Sequence, residues 1–228
     1  MLENNRKKLL EKGCCTFVID NEEDMATLEE FSKNKAFDSK EWTDLRWSCH
    51  VIHFNTHNQA MSFTNDHKPG QPMQYLDQEN VPNQAYFESD IVETDNTGEN
   101  IEKVRNLFRK FTCEGYNLKR EDLDPRVDFR VNVHVSGFHI RNHRDGQNYE
   151  KGQNPRICAI LIYMNKDWKK EHGGNLIIHN GEETITPSFG RVVMIDLTKH
   201  DIEHSVDRII TDKPRLSLIV FMTSNSYE

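Results

Sequence analysis

The sequence predicts a mainly β domain with flanking helices, and three observations support this fold class. From residue 126 onward apolar residues recur with a period of two, whereas the first half mixes helical and polar stretches. The run ICAILIYMN, at 157–165, is apolar on both faces, which is typical of a central strand covered on both sides. Short strands separated by Gly-Gly, Asn-Gly and PSFG turns favour a sandwich or flattened barrel with helices outside.

The elements of the first half follow from their periodicity. LENNRKKLLEKG predicts a helix that ends at Gly13, CCTFVID predicts a strand, and a capped helix is expected from Asn21 or Glu22 to Lys33. Residues 55–100 are rich in Asn, Gln, Asp, Pro and Gly, so we expect long loops there, with one short strand near WSCHVIHF just before them. IEKVRNLFRKFTCEGYNL repeats apolar residues at helical spacing and predicts a helix that ends near Gly115.

The second half reads as strands. In RVDFRVNVHV the valines and Phe129 fall on one face, which leaves Arg130, Asn132 and His134 on the other. The further strands are expected in ICAILIYMN, GGNLIIHN, ETIT, GRVVMIDL and RLSLIVFMT. At 228 residues we expect one domain spanning 1–228, with 1–125 as supporting elements and 126–223 as the core barrel.

Composition excludes several classes of protein. The formal net charge is -8 with no block of Lys or Arg, so nucleic acid is not expected as a partner. No apolar run is long enough to cross a bilayer and the N-terminus has no signal-peptide pattern, so we expect a soluble cytoplasmic protein without a membrane partner. The five cysteines form no C-x-x-C pair and are expected to be reduced thiols.

Three polar residues near the predicted core strands could bind a metal ion. His143 and Asp145 form the one His-x-Asp/Glu pair in the chain, and residues two apart in extended backbone point the same way. His204 lies between two later predicted strands. Two imidazoles and one carboxylate on one face would hold non-haem Fe(II) and leave three positions open. The alternative is that His143 and Asp145 are solvated loop residues and His204 a surface turn residue.

Arg215 opens the strand RLSLIVFMT and shares a face with Ser217, Ile219 and Phe221. An arginine that points inward among apolar side chains is costly unless a carboxylate meets it. Its planar fork suits a bidentate grip on a carboxylate, and the Ser217 hydroxyl can donate to the same group. The alternative is an internal salt bridge to Asp196 or Asp207. His134 and His139 are interpreted as packing residues.

These motifs together closely resemble the Fe(II)/2-oxoglutarate oxygenases, in particular the prolyl hydroxylase-like branch. The resemblance is carried by HRD at 143–145, RICAILIYMNKDW at 156–168, GGNL at 173–176, the P-x-F-G-R turn at 187–191, and His204 with Arg215. It implies a double-stranded β-helix, a jelly-roll or cupin-like barrel, with His143, Asp145 and His204 as the iron ligands. It also implies that Arg215 and Tyr163 bind the distal carboxylate of 2-oxoglutarate, and Ser217 is expected beside them.

The resemblance implies a dioxygenase that uses Fe(II), 2-oxoglutarate and O2, with ascorbate as a candidate reductant, and that hydroxylates an unactivated C–H bond. A prolyl residue in a protein or peptide is the leading substrate, and a free amino acid or natural-product intermediate is the alternative, since Arg-x-Ser is similar to the pattern of penicillin-forming oxygenases. A catalytically silent ligand-binding β-helix protein and a zinc hydrolase are alternatives of other classes. A monomer or weak dimer is expected. The strand before the triad lacks the family's common tyrosine.

Overall fold

The computed structural model describes residues 3–33, 73–76, 82–90, 98–146, 155–179, 183–200 and 202–225. Within 98–146 it leaves out residues 126, 128, 135, 137 and 138. Within these ranges the chain forms two antiparallel sheets and three α-helices. The helices are α1 (Glu3–Lys12), α2 (Glu22–Phe31) and α3 (Gly98–Tyr116). This arrangement confirms the predicted mainly β class with flanking helices.

The larger sheet has seven described strands in the order β1-β9-β6-β11-β4-β3-β2. They are β1 (Cys14–Val18), β2 (Met73–Leu76), β3 (Pro82–Asp90), β4 (Arg130–His134), β6 (Arg156–Tyr163), β9 (Arg191–Asp196) and β11 (Arg215–Thr223). The smaller sheet has the order β5-β10-β7-β8. Its strands are β5 (Ile140–His143), β7 (Leu176–Ile178), β8 (Glu183–Ile185) and β10 (His204–Val206).

Two apolar clusters cover the two faces of the larger sheet. One packs α1, α2 and α3 against its outer face and includes Leu28, Phe108 and Leu218. The other fills the space between the two sheets and includes Tyr163 and Val206. Since successive residues of a strand point to opposite faces, the outer cluster takes alternate residues of β11 and leaves Arg215 and Ser217 on the inner face.

The end of α1 and the start of α2, which flank β1, both have conventional capping. Gly13 has φ of 76° and its N–H donates to the Leu9 carbonyl oxygen, so α1 ends in the left-handed conformation that glycine tolerates. The Asn21 side chain accepts a hydrogen bond from the Asp24 N–H and caps α2. The predicted helices and the strand β1 between them are therefore confirmed.

The prediction of long loops over residues 55–100 is wrong at two places. β2 and β3 form a hairpin within this stretch, and β3 pairs with β4 from Tyr86↔His134 to Asp90↔Arg130. Apolar and polar residues do not alternate throughout either strand, so a period of two could not reveal them. Backbone pairing with β4 holds β3 in the sheet. The strand expected near WSCHVIHF lies outside the described residues.

Candidate active site

His143 and His204 face each other across two neighbouring strands of the smaller sheet. His143 ends β5, His204 begins β10, and the strand register pairs them directly. Their ring centroids are 4.3 Å apart. Both histidines lie outside the strands that we predicted from the sequence, whereas in the structure each lies in a short strand. Backbone pairing therefore sets the distance between the two imidazoles.

Asp145 completes the group two residues beyond β5. Its Oδ1 atom lies 3.6 Å from His143 Nε2 and 3.7 Å from His204 Nε2. The three ligand atoms all lie within 4.8 Å of one another. The side chains are only 7–10% exposed, so the alternative of solvated loop and surface turn residues is wrong.

The protonation of this cluster suits a divalent cation. His204 Nδ1 lies 3.1 Å from the Ile202 carbonyl oxygen, which can only accept, so Nδ1 carries the proton and Nε2 keeps its lone pair toward Asp145. Burial lowers the pKa of His204. Burial raises the pKa of Asp145, but the neighbouring His204 and His143 outweigh this and lower it overall. A neutral imidazole and a carboxylate are the forms that bind metal.

Arg215 lies on the inner face of the larger sheet with 1% exposure. Its Nε donates to the Gly174 carbonyl oxygen at 2.8 Å, Nη1 to His134 Nδ1 at 2.9 Å, and Nη2 to the Tyr163 hydroxyl at 3.2 Å. All three acceptors are neutral. Among the described residues, no carboxylate lies within ion-pair distance of this guanidinium, which therefore presents a buried positive charge without a counterion.

The predicted alternative of an internal salt bridge is wrong for both candidate aspartates. Asp196 accepts hydrogen bonds from the Tyr116 and Thr198 hydroxyls and from two backbone N–H groups. Asp207 accepts from the backbone and side-chain amides of Asn175. Both carboxylates are thus engaged in other parts of the fold.

A row of polar side chains crosses the sheet beside Arg215. The register places Ser217 between Asn132 on β4 and Tyr163 on β6. The Ser217 hydroxyl is fully buried and has no hydrogen-bond partner, and the same is true of the Asn132 side-chain oxygen. Buried polar groups without partners are rare in proteins, and here they lie next to an uncompensated cation. The arrangement fits a bound anion such as a carboxylate.

The turn before β7 allows this arrangement because it contains glycine. Gly174 has φ of +69°, and a Cβ at this position would lie 2.9 Å from Arg215 Cδ. The Asn175–Asp207 hydrogen bonds tie the start of β7 to the residue after β10. At the other side, Asn165 accepts from the Leu216 N–H and donates to the Pro214 carbonyl oxygen, which fixes the start of β11. Arg215 is therefore held from both sheets.

The structure thus brings the predicted residues together as two groups. His143, Asp145 and His204 form one, and Arg215, Ser217 and Tyr163 form the other, on the inner face of the opposite sheet. Sequence reasoning missed His134 and Asn132 as members of the second group. Their alternation in RVNVHV did place them on the face that carries them, but nothing in the strand itself shows that Arg215 is their neighbour.

Comparison with known proteins identifies the barrel. Residues 129–223 match the sequence model of the 2OG-Fe(II) oxygenase superfamily. This part of the chain is similar to that superfamily. The match confirms the resemblance drawn from the sequence and the expectation of an enzyme, and it implies Fe(II), 2-oxoglutarate and O2. Comparison with curated protein sequences gives no match.

Solved structures support the fold over almost the whole chain. A prolyl-4-hydroxylase from Pseudomonas putida is 13% identical with a TM-score of 0.61, covering 97% of this chain and 98% of that one. A prolyl hydroxylase from Trichoplax adhaerens, in complex with a hypoxia inducible factor oxygen degradation domain peptide fragment, is 14% identical with a TM-score of 0.62 over 98% and 91%. AviO1 from Streptomyces viridochromogenes is 11% identical with a TM-score of 0.57 over 99% and 96%. The predicted double-stranded β-helix is confirmed.

The lengths and polarities of the three helices bear on whether any of them could span a membrane. Within the described ranges, α1, α2 and α3 are too short or too polar for any of them to span a bilayer.

Proposed function

We propose that this chain is an Fe(II)- and 2-oxoglutarate-dependent dioxygenase that hydroxylates an unactivated C–H bond, with His143, Asp145 and His204 as the metal ligands. The observation that carries the proposal is the buried Arg215 guanidinium, whose partners among the described residues are all neutral, beside a Ser217 hydroxyl without a partner there. A protein that merely retained the barrel would have no physical need for this charge, since burying an unpaired cation is costly.

The ligand set suits iron, and a hydrolytic zinc centre would give no role to the buried Arg215. Two imidazoles and one carboxylate leave three coordination positions open, which accommodates a bidentate cosubstrate and O2. When bound, the iron supplies oxygen activation coupled to the conversion of 2-oxoglutarate to succinate and CO2. The His204 Nδ1–H bond to the Ile202 carbonyl keeps the imidazole in one orientation and one tautomer. Asp145, held as a carboxylate, contributes the single negative charge of the set.

The second group binds the distal carboxylate of 2-oxoglutarate. Arg215 supplies the positive charge and the two N–H groups that its three protein bonds leave over. The Ser217 hydroxyl, without a protein partner, donates to the same carboxylate. The Tyr163 oxygen already accepts from Arg215, so its own O–H remains to donate, and burial raises the pKa of Tyr163, which keeps that proton in place.

The substrate we propose is a prolyl residue in a protein or peptide. It is supported by the similarity of the fold to solved prolyl hydroxylases, one of them in complex with a peptide. The alternative, a free amino acid or natural-product intermediate, is supported by the Arg215-x-Ser217 pattern. We also propose that residues 1–228 form one domain, because α1, α2 and α3 share an apolar cluster with the barrel sheet.

The experiment is anaerobic loading with Fe(II), followed by exposure to O2 with 2-oxoglutarate, with and without ascorbate. Proline-containing peptides and free amino acids serve as candidate substrates, and the readouts are succinate and a mass gain of one oxygen atom. Tyr116→Phe is the control variant. It removes a buried hydroxyl on the helix-facing side of the larger sheet, away from the two proposed binding groups, and it should keep the activity. A folded, iron-loaded protein that neither binds 2-oxoglutarate nor forms succinate would contradict the proposal. Oxygen transfer to a free amino acid alone would favour the alternative substrate.

A further inference from the structure

His134 is a buried histidine on β4 that the proposed ligand sets do not include. The strand register pairs it with Arg215, and its side chain points to the same inner face of the sheet. It is 5% exposed, and its Nδ1 atom accepts a hydrogen bond from Arg215 Nη1 at 2.9 Å. The sequence suggested only a packing role, but this side chain also supplies a hydrogen-bond acceptor to the buried Arg215 guanidinium.

We propose that His134 is a positioning residue, which holds the Arg215 guanidinium in the orientation that receives the cosubstrate's distal carboxylate without neutralising its charge. This inference rests on the proposed function, since it assumes that Arg215 binds that carboxylate. The inference goes further than the proposed function. It holds that His134, which does not itself need to touch the cosubstrate, helps the site to discriminate between 2-oxo acids with and without a distal carboxylate.

The geometry of the arginine carries the argument. A guanidinium has five N–H groups, and its three bonds to Gly174, His134 and Tyr163 engage one N–H on each nitrogen. Five minus three leaves two, one on each Nη atom. The acceptors come from three different elements, so the plane of the group is fixed from three directions. Without the His134 acceptor, Nη1 loses its only described protein partner and the fork is held by Nε and Nη2 alone.

The chemical identity of the acceptor matters as much as its position. A carboxylate opposite Arg215 would orient the guanidinium equally well, but it would also cancel the charge that attracts the cosubstrate. A neutral imidazole orients the group and leaves the charge available. Burial and the Arg215 charge together lower the pKa of His134 well below its usual range, so the ring stays neutral and Nδ1 keeps its lone pair.

The test compares three substitutions that separate these two properties. His134→Asn places a neutral amide oxygen near the position of Nδ1, His134→Ala removes the acceptor, and His134→Asp supplies an acceptor that carries a negative charge. The readout is the Kd of the anaerobic Fe(II) protein, measured by calorimetry for 2-oxoglutarate and for 2-oxobutyrate, which lacks the distal carboxylate. Tyr116→Phe again serves as the control, because it removes buried hydrogen bonds between α3 and the outer side of the larger sheet.

The expected order of 2-oxoglutarate affinity is wild type and His134→Asn, then His134→Ala weaker by about tenfold, then His134→Asp weaker still. The Kd for 2-oxobutyrate should change little in all three. In steady-state succinate assays the KM for 2-oxoglutarate should rise in His134→Ala while kcat is retained, because uniform binding of the cosubstrate is what has been lost.

Two results would overturn the inference. One is an unchanged 2-oxoglutarate Kd in His134→Ala; the other is an equal loss for both 2-oxo acids, which would show general damage to the pocket. If His134→Ala does not fold, the comparison of His134→Asn with His134→Asp decides, since equal affinities would refute the role of charge. A wild-type protein that does not bind 2-oxoglutarate would overturn the proposed function itself, and this inference with it.

Discussion

Replacing Arg215 with glutamine tests whether the buried charge serves a ligand or the fold. The substitution removes the positive charge and the fork while it keeps a polar side chain of moderate length. Arg215 is 1% exposed, so an anion bound to it is largely removed from water. Loss of a desolvated, charge-assisted partner costs on the order of 2 to 5 kcal/mol. This corresponds to about 30-fold to several thousand-fold weaker 2-oxoglutarate binding.

Stability without cosubstrate should respond quite differently. Arg215 loses three hydrogen bonds to neutral acceptors, each worth roughly 1 kcal/mol. The same substitution relieves the cost of burying a cation that no carboxylate of the described residues compensates, which is of similar size or larger. We therefore expect the free energy of unfolding of the ligand-free protein to change by less than about 2 kcal/mol.

The assay combines chemical denaturation of the ligand-free protein with calorimetric titration of 2-oxoglutarate into the anaerobic Fe(II) form. Arg215→Lys is the matched variant, because it keeps the charge and loses the planar fork, and its affinity should be intermediate. The reasoning would be refuted by a large loss of stability together with an unchanged Kd. Arg215 would then be a structural residue, and the carboxylate contact would have to be reassigned.

Three further predictions concern the neighbouring residues. His143→Ala and His204→Ala should each abolish stoichiometric Fe(II) binding, measured as bound metal after anaerobic gel filtration; retained iron and succinate production in both would contradict the triad. Ser217→Ala should leave the stability of the ligand-free protein within about 1 kcal/mol or raise it, because an unpartnered buried hydroxyl is removed, while the Kd for 2-oxoglutarate rises about tenfold. Burial and the Arg215 charge lower the pKa of His134 in the folded protein. As the pH falls below 6.5, the imidazole is therefore protonated in the unfolded chain before it is protonated in the folded one, and the ligand-free protein should lose stability. The dependence, at most about 1.4 kcal/mol per pH unit for this group, should be shallower in His134→Asn, and equal slopes in denaturation curves would argue against a neutral buried His134.

The sequence alone determined the fold class and most of the site. Period-two alternation identified β4 and the start of β11, since one buried face imposes that pattern on a strand. The two-sided apolar run marked β6 as central, and it lies between β9 and β11. The inward orientation of Arg215 followed from the parity of its strand, and its burial confirms this orientation. The spacing of His143 and Asp145 placed two candidate ligands side by side because it is a local property of extended backbone.

What the tertiary structure decided is which residues meet across the sheets. β5 and β10 are only four and three residues long, too short for a periodicity to show, and only their pairing brings His143 and His204 together. The hairpin of β2 and β3 is likewise recognised by the pairing of β3 with β4, not by a periodic pattern in its sequence. His134 acquires its role from the register that places it opposite Arg215, 81 residues later in the chain. Strand register depends on turns and on packing distributed over the whole barrel, so no local pattern in RVNVHV could specify that partner.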